Sequence, residues 1–505
     1  MQQSQHISRK LGNSSYAPHS QGAPRGYPEG AGPDGRFGLT SLTVWVGTCL
    51  LLLVLALSGC AGTSAGTDNQ ASTPLALPMR KATPTVIPAS PTTDWTTYHR
   101  DNTRAGYLAN MPDPRQLTRA WSMQLDGAVY AEPLIVGTHV FIATEGDSVY
   151  SLDSQTGKVQ WRTNVGTPVP QSSLPCGNID PLGITGTPVY DAGTGLIFAV
   201  AEVSGPQHIL VGINALTGKV QVRRSVDVPG MDITPHQQRA ALALSRNMVY
   251  VAFGGLDGDC GNYIGRVVAS RTDGSGSLLS YQVPTPREGG IWAASGPAVD
   301  AAGKIYVAVG NGETTQGNWD HSDSVLRLSP TLQLEDGFTP TTWAQENASD
   351  ADLGSMGPLL LPGGLVFANG KSGIGYLLHA DALGGVGGQA QQATICHAFG
   401  GAAAINLQIF VPCTDGIREV TVGSGATMTV GWHTQGQIAG SPVVGGHTVY
   451  SLDTNGGTLY ALNSTDGSVR TSIAVGQTPR FNTPTLAGNQ IFVGTATGVV
   501  AITIS

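Results

Sequence analysis

The first residues with recognisable chemistry follow an apolar run near the N-terminus. Residues 37–57 are long and apolar enough to enter a bilayer, and the run ends in Leu57-Ser58-Gly59-Cys60. This tetrapeptide resembles the bacterial lipobox, in which a peptidase cleaves before the cysteine and the sulfur is acylated. We therefore expect lipid on Cys60, which would anchor the exported chain to the outer face of the bacterial cell membrane or to an outer membrane. An uncleaved transmembrane helix is the alternative.

Four further cysteines lie beyond the leader: Cys176, Cys260, Cys396 and Cys413. An even number in an oxidising compartment indicates disulfides, and four cysteines permit three connectivities. The chain contains no Cys-x-x-Cys pair, no Cys/His cluster typical of zinc and no Cys-x-x-Cys-His haem site. The sequence therefore predicts disulfides and no metal site.

Three other motifs have simpler explanations than chemistry. Residues 62–66 match Gly-x-Ser-x-Gly, but they lack the strand-to-helix turn that a nucleophile elbow requires. Residues 257–259 begin like a calcium loop, but Val268 stands where an EF-hand needs glutamate. The two aspartates in residues 320–323 are typical of a solvated turn. No catalytic residue is assigned.

Composition narrows the class of protein. The formal charge is -8 with only 12% charged residues, which argues against nucleic acid as a partner. Glycine is abundant, and no long helical periodicity appears, as in a large β-rich domain. Residues 61–93 are dominated by Ser, Thr, Pro, Ala and Gly and resemble a flexible tether. We divide the chain into a leader (1–59), a lipidation site with tether (60–93) and a folded domain (94–505).

The folded domain is repetitive. A short β-branched run with a central aromatic residue recurs about every 50 residues. The aromatic residues are Phe141, Phe198, Tyr250, Tyr306, Phe367, Phe410, Tyr450 and Phe492. Six of these runs follow a small residue and proline, where a strand can begin without an amide donor. Each unit continues into further alternating strands, and we expect Trp161, Trp432 and also Trp343 on fourth strands.

Eight units of four antiparallel strands predict an all-β fold, an eight-bladed β-propeller. The last unit, residues 483–504, has only three strands. The segment 117–121 precedes the first unit and matches the fourth-strand pattern of residues 159–161. We therefore expect the N-terminal strand to complete the last blade, which removes two free sheet edges.

One segment also resembles a known family. Residues 151–161 look like the tryptophan-docking repeat, Ala-x-Asp-x-x-Thr-Gly-x-x-x-Trp, of pyrroloquinoline-quinone-type propellers, with Ser151 replacing alanine. Residues 95–98, 102–106 and 289–292 are similar to the same superfamily. The resemblance implies the fold more strongly than an activity, because the Trp and Gly residues serve docking between blades.

Two functions follow from the resemblance. Quinoprotein dehydrogenases of the family hold pyrroloquinoline quinone over a Trp floor with calcium and, in many, adjacent cysteines, but no Cys-Cys pair occurs here. The family also includes a lipoprotein of the outer-membrane β-barrel assembly machinery that binds partners without a cofactor. We favour a monomeric, lipid-anchored scaffold or binding module without a cofactor, whose partner is an envelope protein or glycan. A dehydrogenase oxidising an alcohol or sugar is the alternative.

Propeller topology indicates where a ligand would bind. The connections entering each blade and the loops after each second strand emerge on one face, and the longest irregular stretches fall there: 167–185, 229–238, 254–264, 311–324 and 344–354. We predict that Glu132, Arg239, Trp292, Asp352 and Arg480 point toward the central mouth. Salt bridges between blades are their alternative role.

The same topology predicts disulfide pairing. Cys396 precedes the first strand of blade six and Cys413 ends its second strand, so both lie on one face at adjacent strand ends. Cys176 and Cys260 lie in long loops of that face, so we expect them to pair as well. Four free thiols packed as small apolar groups are the competing interpretation.

Overall fold

The computed structural model describes residues 86–87, 93–434 and 436–505. The leader, Cys60 and nearly all of the expected tether lie outside the described residues. Ile87 is buried beside Leu134 and Tyr190, and its carbonyl accepts a hydrogen bond from the Tyr190 hydroxyl. Within the described ranges, no helix has the length and apolar character needed to cross a bilayer.

Eight sheets follow one another along the chain. Blade 1 contains Leu134–Val136, His139–Thr144, Ser148–Asp153 and Val159–Asn164. Blade 2 contains Val189–Asp191, Leu196–Val203, Gln207–Asn214 and Val220–Ser225. Blade 3 contains Ala243–Ser245, Met248–Gly255, Arg266–Arg271 and Leu279–Gln282, with His236–Gln237 beside its second strand. Blade 4 contains Ala298–Val299, Ile305–Val309, Ser324–Leu328 and Leu334–Thr339, with Gly385–Val386 beside its fourth strand.

The second half repeats this plan. Blade 5 contains Leu359–Leu361, Leu365–Asn369, Ile374–His379 and Gln391–Thr394. Blade 6 contains Ala403–Ile405, Gln408–Cys413, Gly416–Val422 and Met428–His433. Blade 7 contains Val443–Gly445, Thr448–Asp453, Thr458–Asn463 and Val469–Ala474, with Tyr107–Leu108 parallel to its first strand. Blade 8 contains Thr485–Ala487, Gln490–Thr495, Gly498–Ile504 and the N-terminal strand Leu117–Gln124. The helices are Trp343–Ala348 and the short turns Gln171–Ser173, Leu353–Ser355 and Ser424–Ala426.

The eight repeated aromatic residues all lie on second strands of the blades, and none is more than 1% exposed. Neighbouring twisted sheets pack face to face, and a bulky side chain on each second strand fills the space between them. The repeat found in the sequence is therefore the core position of each blade. The predicted all-β, eight-bladed propeller is confirmed.

The closure of the ring is also confirmed. Leu117–Gln124 pairs antiparallel with Gly498–Ile504, with Leu117 opposite Ile504 and Gln124 opposite Gly498. The strand that precedes blade 1 and the last strand of the domain therefore share one sheet, and blade 8 has its full four strands.

Tryptophans on fourth strands dock onto the next blade. The Trp161 ring covers Gly218, and its Nε1 donates a hydrogen bond to the Ala215 carbonyl at 2.9 Å. Trp121 and Trp432 make the corresponding bonds to Ser154 and Ser464. Three of the eight blade junctions thus contain the Trp-on-Gly contact that the sequence motif predicts.

The expectation for Trp343 was wrong. The fourth strand of blade 4 ends at Thr339, because Pro340 has no amide hydrogen for the ladder. Trp343 instead begins the helix Trp343–Ala348, where the Thr342 hydroxyl donates to Glu346 Oε1 at 2.6 Å. This helix belongs to the long loop that follows blade 4.

Residues 95–106 run inside the ring and bond to the first strands of successive blades. Trp95 pairs with Ile135 of blade 1, and the Thr96 carbonyl accepts from the Tyr190 amide of blade 2. Carbonyl groups of residues 102, 103, 105 and 106 accept from Val299, Leu360, Ala404 and Val444 of blades 4 to 7. This segment, which we call the axial segment, lies against the first strands of the blades, and a cavity lies on the long-loop face.

Candidate functional site

The axial cavity lies at the centre of the long-loop face and has a volume of about 510 Å³. Its walls include Arg239, Trp292, Asp352 and Arg480, four of the five side chains predicted to face the mouth. These residues introduce blades 3, 4, 5 and 8 and are far apart in sequence. The other lining residues are Gly255, Leu256, Asp257, Gly258, Asp259, Tyr263, Asn311, Asp350, Lys371, Phe399 and Phe481.

Three aromatic rings form a cluster in this cavity. The Trp292 ring centroid lies 6.3 Å from that of Phe399 and 6.2 Å from that of Phe481. Phe399 and Phe481 are 5.9 Å apart and nearly parallel, with an interplanar angle of 21°. All three rings are half-buried. Apolar ring faces that remain accessible in a concave site are typical of ligand-binding pockets.

Three cations surround the aromatic cluster. The Arg239 guanidinium and the Lys371 ammonium lie 5.9 Å and 5.7 Å from the Trp292 ring centroid. The Arg480 guanidinium lies 5.1 Å from the Phe399 centroid and 4.7 Å from that of Phe481. Each distance is within the range of a cation–π contact. The cavity therefore combines apolar ring faces with three cations, and four aspartates also line it: Asp257, Asp259, Asp350 and Asp352.

Lys371 is neutralised by two carboxylates. Its ammonium lies 2.8 Å from Asp352 Oδ2 and 2.5 Å from Asp350 Oδ1. Burial raises the pKa of Asp352 to about 6, although Lys371 acts in the opposite direction. Burial also opposes the charge on Lys371, but Asp352 and Asp350 hold its pKa above the ordinary value. Near neutral pH the lysine and its two carboxylates form an ion-paired group.

The structure places Glu132 elsewhere. Its carboxylate is buried beneath the cavity and accepts hydrogen bonds from Trp95 Nε1 at 2.8 Å and from the His99 amide at 2.7 Å. Glu132 directly precedes Pro133, whereas Arg480 lies four residues before Pro484. The shorter spacing places Glu132 against the axial segment instead of at the mouth. Burial raises the pKa of this carboxyl well above its usual range.

Two further spaces adjoin the axial cavity. One, of about 50 Å³, lies between Tyr98 of the axial segment and Tyr130. The other, of about 590 Å³, extends toward Thr454 and Asn455 of blade 7. Arg480 and Phe481 line all three spaces, so the connection entering blade 8 is their common wall.

Two disulfides hold the loops that form these walls. The structure contains the expected pairs, Cys176–Cys260 and Cys396–Cys413, with Cα separations of 6.2 and 5.6 Å. Cys176–Cys260 joins the loop that carries Ile179 to the loop that carries Leu256, and both of these side chains belong to one small apolar cluster. Cys396–Cys413 flanks Phe399. Four of the five long stretches expected on this face contribute lining residues; 229–238 contributes none.

The weaker motifs occupy different environments. Asp257 and Asp259 line the axial cavity, and Asp259 accepts a hydrogen bond from Tyr263. Asp323 does not lie in a solvated turn as expected: it is fully buried and accepts the Leu353 amide, because the loop 344–354 folds over it. Among the described residues, no three His, Cys, Asp or Glu side chains are grouped to share a metal ion.

Sequence reasoning missed Phe399, Phe481 and Lys371. Phe399 occupies the connection entering blade 6, so the rule that selected Arg480 could also have selected it. Phe481 directly follows Arg480 and has a positive φ of 67°, which turns its ring toward the axis. Lys371 follows a second strand, and no motif or repeat in the sequence marks it as a site residue.

Comparison with known proteins agrees with this architecture. The family described as outer membrane protein assembly factor BamB matches residues 111–385 and 417–504, more than two thirds of the chain. No curated protein sequence matches the chain significantly.

Solved structures with the same fold include dehydrogenases and an assembly factor. A quinohemoprotein alcohol dehydrogenase from Comamonas testosteroni is 14% identical, with a TM-score of 0.64 over 82% of this chain and 81% of that one. A europium-containing methanol dehydrogenase is 15% identical, with a TM-score of 0.66 over 82% and 98% of the two chains. BamB from Moraxella catarrhalis is 15% identical, with a TM-score of 0.56 over 77% and 100%. At these identities the likeness is one of fold.

Proposed function

Since this chain belongs to the BamB family of propellers with pyrroloquinoline-quinone-type repeats, we propose that it is an exported, lipid-anchored module that binds an envelope component at its axial cavity. The binding is non-catalytic, and the partner is an envelope protein or glycan. The propeller is the rigid scaffold, and the long loops supply the contacts.

One observation carries this proposal: the aromatic cluster of Trp292, Phe399 and Phe481 is half-exposed in the axial cavity. Inter-blade packing does not account for it, because the packing aromatic residues of the second strands are completely buried elsewhere. Disulfides on both sides fix the walls, so little ordering of the loops is needed when a ligand binds.

The anchor is part of the proposal. The motif Leu57-Ser58-Gly59-Cys60 supports acylation at Cys60. The tether is long enough to hold the folded domain away from the membrane. Metabolic labelling with palmitate of wild type and Cys60→Ala tests it. We expect label in the wild type only; equal labelling, or none in either, would contradict the lipid anchor.

The competing function is a quinone-dependent dehydrogenase, which requires a cavity that holds quinone and calcium. Trp292 is a suitable aromatic floor. The donor set for calcium does not fit, because the Asp352 and Asp350 carboxylates are already paired with the Lys371 ammonium. The disulfide beside the cavity joins cysteines 84 positions apart, not neighbours. The residues present therefore support binding rather than this chemistry.

The discriminating experiment uses the full chain in detergent. Binding to immobilised envelope fragments of the source bacterium is measured for wild type, for a Trp292→Ala/Phe481→Ala double variant and for Val469→Ala. Val469 is 53% exposed on the outer strand of blade 7 and serves as a matched apolar control. Micelle adsorption is the same for all three, so we expect only the double variant to lose at least about tenfold in affinity, as for removal of an interface hot spot.

A second arm tests the competing function. The same preparation is incubated with pyrroloquinoline quinone and calcium, followed by absorbance measurement and dye-linked alcohol and sugar assays. We expect no quinone-dependent turnover. Turnover, or equal binding of the double variant and the Val469→Ala control, would overturn the proposal.

A further inference from the structure

Two guanidinium groups share the centre of the long-loop face. Arg239 and Arg480 both line the axial cavity and also the small space above Tyr98. They belong to the connections entering blades 3 and 8, so only ring closure brings them together. Their side chains approach the same aromatic cluster, Arg239 through Trp292 and Arg480 through Phe399 and Phe481.

Neither guanidinium is neutralised by a direct ion pair within the described chain. Arg480 makes only the two ring contacts. Arg239 stacks on Trp292 and donates one hydrogen bond, from Nη2 to Gln237 Oε1 at 2.8 Å. Asp257 acts on Arg239 only at longer range. Most of the ten N–H donors of the two groups are therefore free to bind a ligand.

The contrast with the other cations of the site is informative. Lys371 is held by Asp350 and Asp352, and Arg287 at the rim pairs with Glu288 at 2.6 Å. The whole chain is acidic, with a formal charge of -8. Burial lowers the pKa of Arg239, the Asp257 carboxylate acts in the opposite direction without a direct ion pair, and the like charge of Arg480 adds to the lowering. Such an arrangement attracts an anion.

The aromatic rings beside the two guanidinium groups narrow the chemical class of the anion. A guanidinium presents its N–H groups as a planar fork, which can bind both oxygens of a carboxylate at once. A ligand group attached to that carboxylate would then lie against the exposed part of Phe481 or Trp292. The site thus fits a carboxylate joined to a ring.

We infer that Arg239 and Arg480 form a specificity site for a ligand that carries a carboxylate on a six-membered ring. This rests on the proposed binding function and names the ligand class for the same cavity. Two sources share this chemistry, an acidic sugar of an envelope glycan and an aromatic acid.

The test is titration calorimetry of the full chain in detergent with two matched pairs of probes. Glucuronate is compared with glucose, and benzoate with benzyl alcohol. We expect at least one carboxylate to bind about ten- to a hundredfold more tightly than its neutral partner, the range for hydrogen bonds to a charged group. Binding should also weaken as salt is raised. A preference for glucuronate identifies the sugar source, and a preference for benzoate the aromatic one.

Variants distinguish binding at this arginine pair from a general effect of positive charge on the protein. Arg480→Gln should lose about tenfold or more for the preferred carboxylate, and Arg480→Lys should lose less because the charge is kept. Lys219→Gln removes one exposed positive charge on the opposite face and should change nothing. Arg480 is exposed, so its replacement leaves the fold intact, as melting temperature will show.

Three outcomes would overturn the inference: neither carboxylate binds, the neutral partners bind equally well, or Arg480→Gln and Lys219→Gln behave alike. If envelope fragments are still bound through Trp292 and Phe481 in such a case, only the ligand class is wrong. Loss of fragment binding together with quinone-dependent turnover would instead remove the proposed function itself.

Discussion

The guanidinium of Arg104 donates two hydrogen bonds to the carbonyl oxygen of Pro297, from Nε at 3.0 Å and from Nη2 at 2.7 Å. The same group also donates to the Leu242 carbonyl, the Thr97 hydroxyl and the Tyr98 carbonyl. It is almost completely buried, and this burial lowers the pKa of Arg104 to about 10. One side chain thus joins the axial segment to blades 3 and 4 beneath the cavity.

Replacing Arg104 should therefore destabilise the ring. Arg104→Met leaves several buried carbonyl groups without donors, and we expect a loss of at least about 3 kcal/mol in unfolding free energy. Melting temperature measures the effect. Arg119→Met is the matched control, because Arg119 is exposed and donates to one carbonyl only. Equal melting of the two variants would mean that the axial segment does not hold the blades together.

The docking of tryptophan on glycine gives a second prediction. A Cβ atom at Gly218 would come within 2.8 Å of Trp161 Cδ2, and Gly218 has a φ of +69°. Gly385 has the same φ but nothing within 4 Å of that position. Gly385→Ala reports the backbone strain alone, about 1 kcal/mol, while Gly218→Ala adds a ring clash of about 1–3 kcal/mol. Similar melting of the two alanine variants would show that the ring contact is unimportant.

The N-terminal strand of blade 8 gives a third prediction. Deleting residues 115–126 removes Leu117–Gln124 and exposes the backbone groups of Gly498–Ile504. We expect a lower melting temperature or aggregation, since an unpaired edge strand can pair with another chain. Differential scanning calorimetry and light scattering measure the two effects. A deletion variant that melts and scatters like the wild type would refute closure by this strand.

The two disulfides should differ in their effect on binding. In the chain-entropy description, the loops of 84 and 17 residues correspond to about 4.5 and about 3 kcal/mol of stabilisation. Cys176→Ser/Cys260→Ser frees two walls of the axial cavity and should weaken binding of envelope fragments as well as lower the melting temperature. Cys396→Ser/Cys413→Ser should lower the melting temperature less.

Non-reducing peptide mapping tests the pairing directly. We expect peptides that join Cys176 to Cys260 and Cys396 to Cys413. A link between Cys176 and Cys413, or alkylation of all four thiols without reductant, would contradict both the pairing and the placement of these loops on one face.

The free energy of unfolding should fall as pH rises, because two carboxyl groups are buried between blades 1 and 2. Burial raises the pKa of Glu145 and of Asp147 to about 8. The unfolded chain releases these protons near pH 4, so the folded state loses relative stability as pH rises from about 4 through 8. Burial opposes the charge on His208, but Asp227 and Glu202 raise its pKa to about 10, so its contribution is complete below about pH 6.5 and is lost toward pH 10.

Melting temperature measured between pH 5 and 10 tests this. Neither carboxylate oxygen of Asp147 has a hydrogen-bond partner in the described structure. Asp147→Asn removes its charge at nearly constant shape, so we expect a shallower decline between pH 5 and 8. Asp273→Asn is the control, since hydrogen bonds from Ser275 lower the pKa of exposed Asp273 to about 2 and it stays ionised throughout. An unchanged slope in Asp147→Asn would assign the decline to other groups.

The strands, the number of blades and the closing strand follow from the sequence alone. They depend on the alternation of apolar and polar residues around the eight aromatic residues and on the missing fourth strand of the last unit. Both features can be seen in short segments of the chain. The Trp161–Gly218 docking contact was also predictable, because each motif contains both a Trp and a Gly. Trp343 broke this rule since Pro340 ends its strand.

Which residues line the axial cavity depends on the tertiary structure. Arg239, Trp292, Asp352 and Arg480 were predicted from their position before first strands, but Glu132 occupies a similar position and is buried against Trp95 and His99 instead. The direction of a side chain in a connection depends on loops and on the axial segment, which come from distant parts of the chain. Phe399, Phe481 and Lys371 meet the others only because radial closure brings the inner ends of the blades to one axis, a long-range effect that no local pattern records.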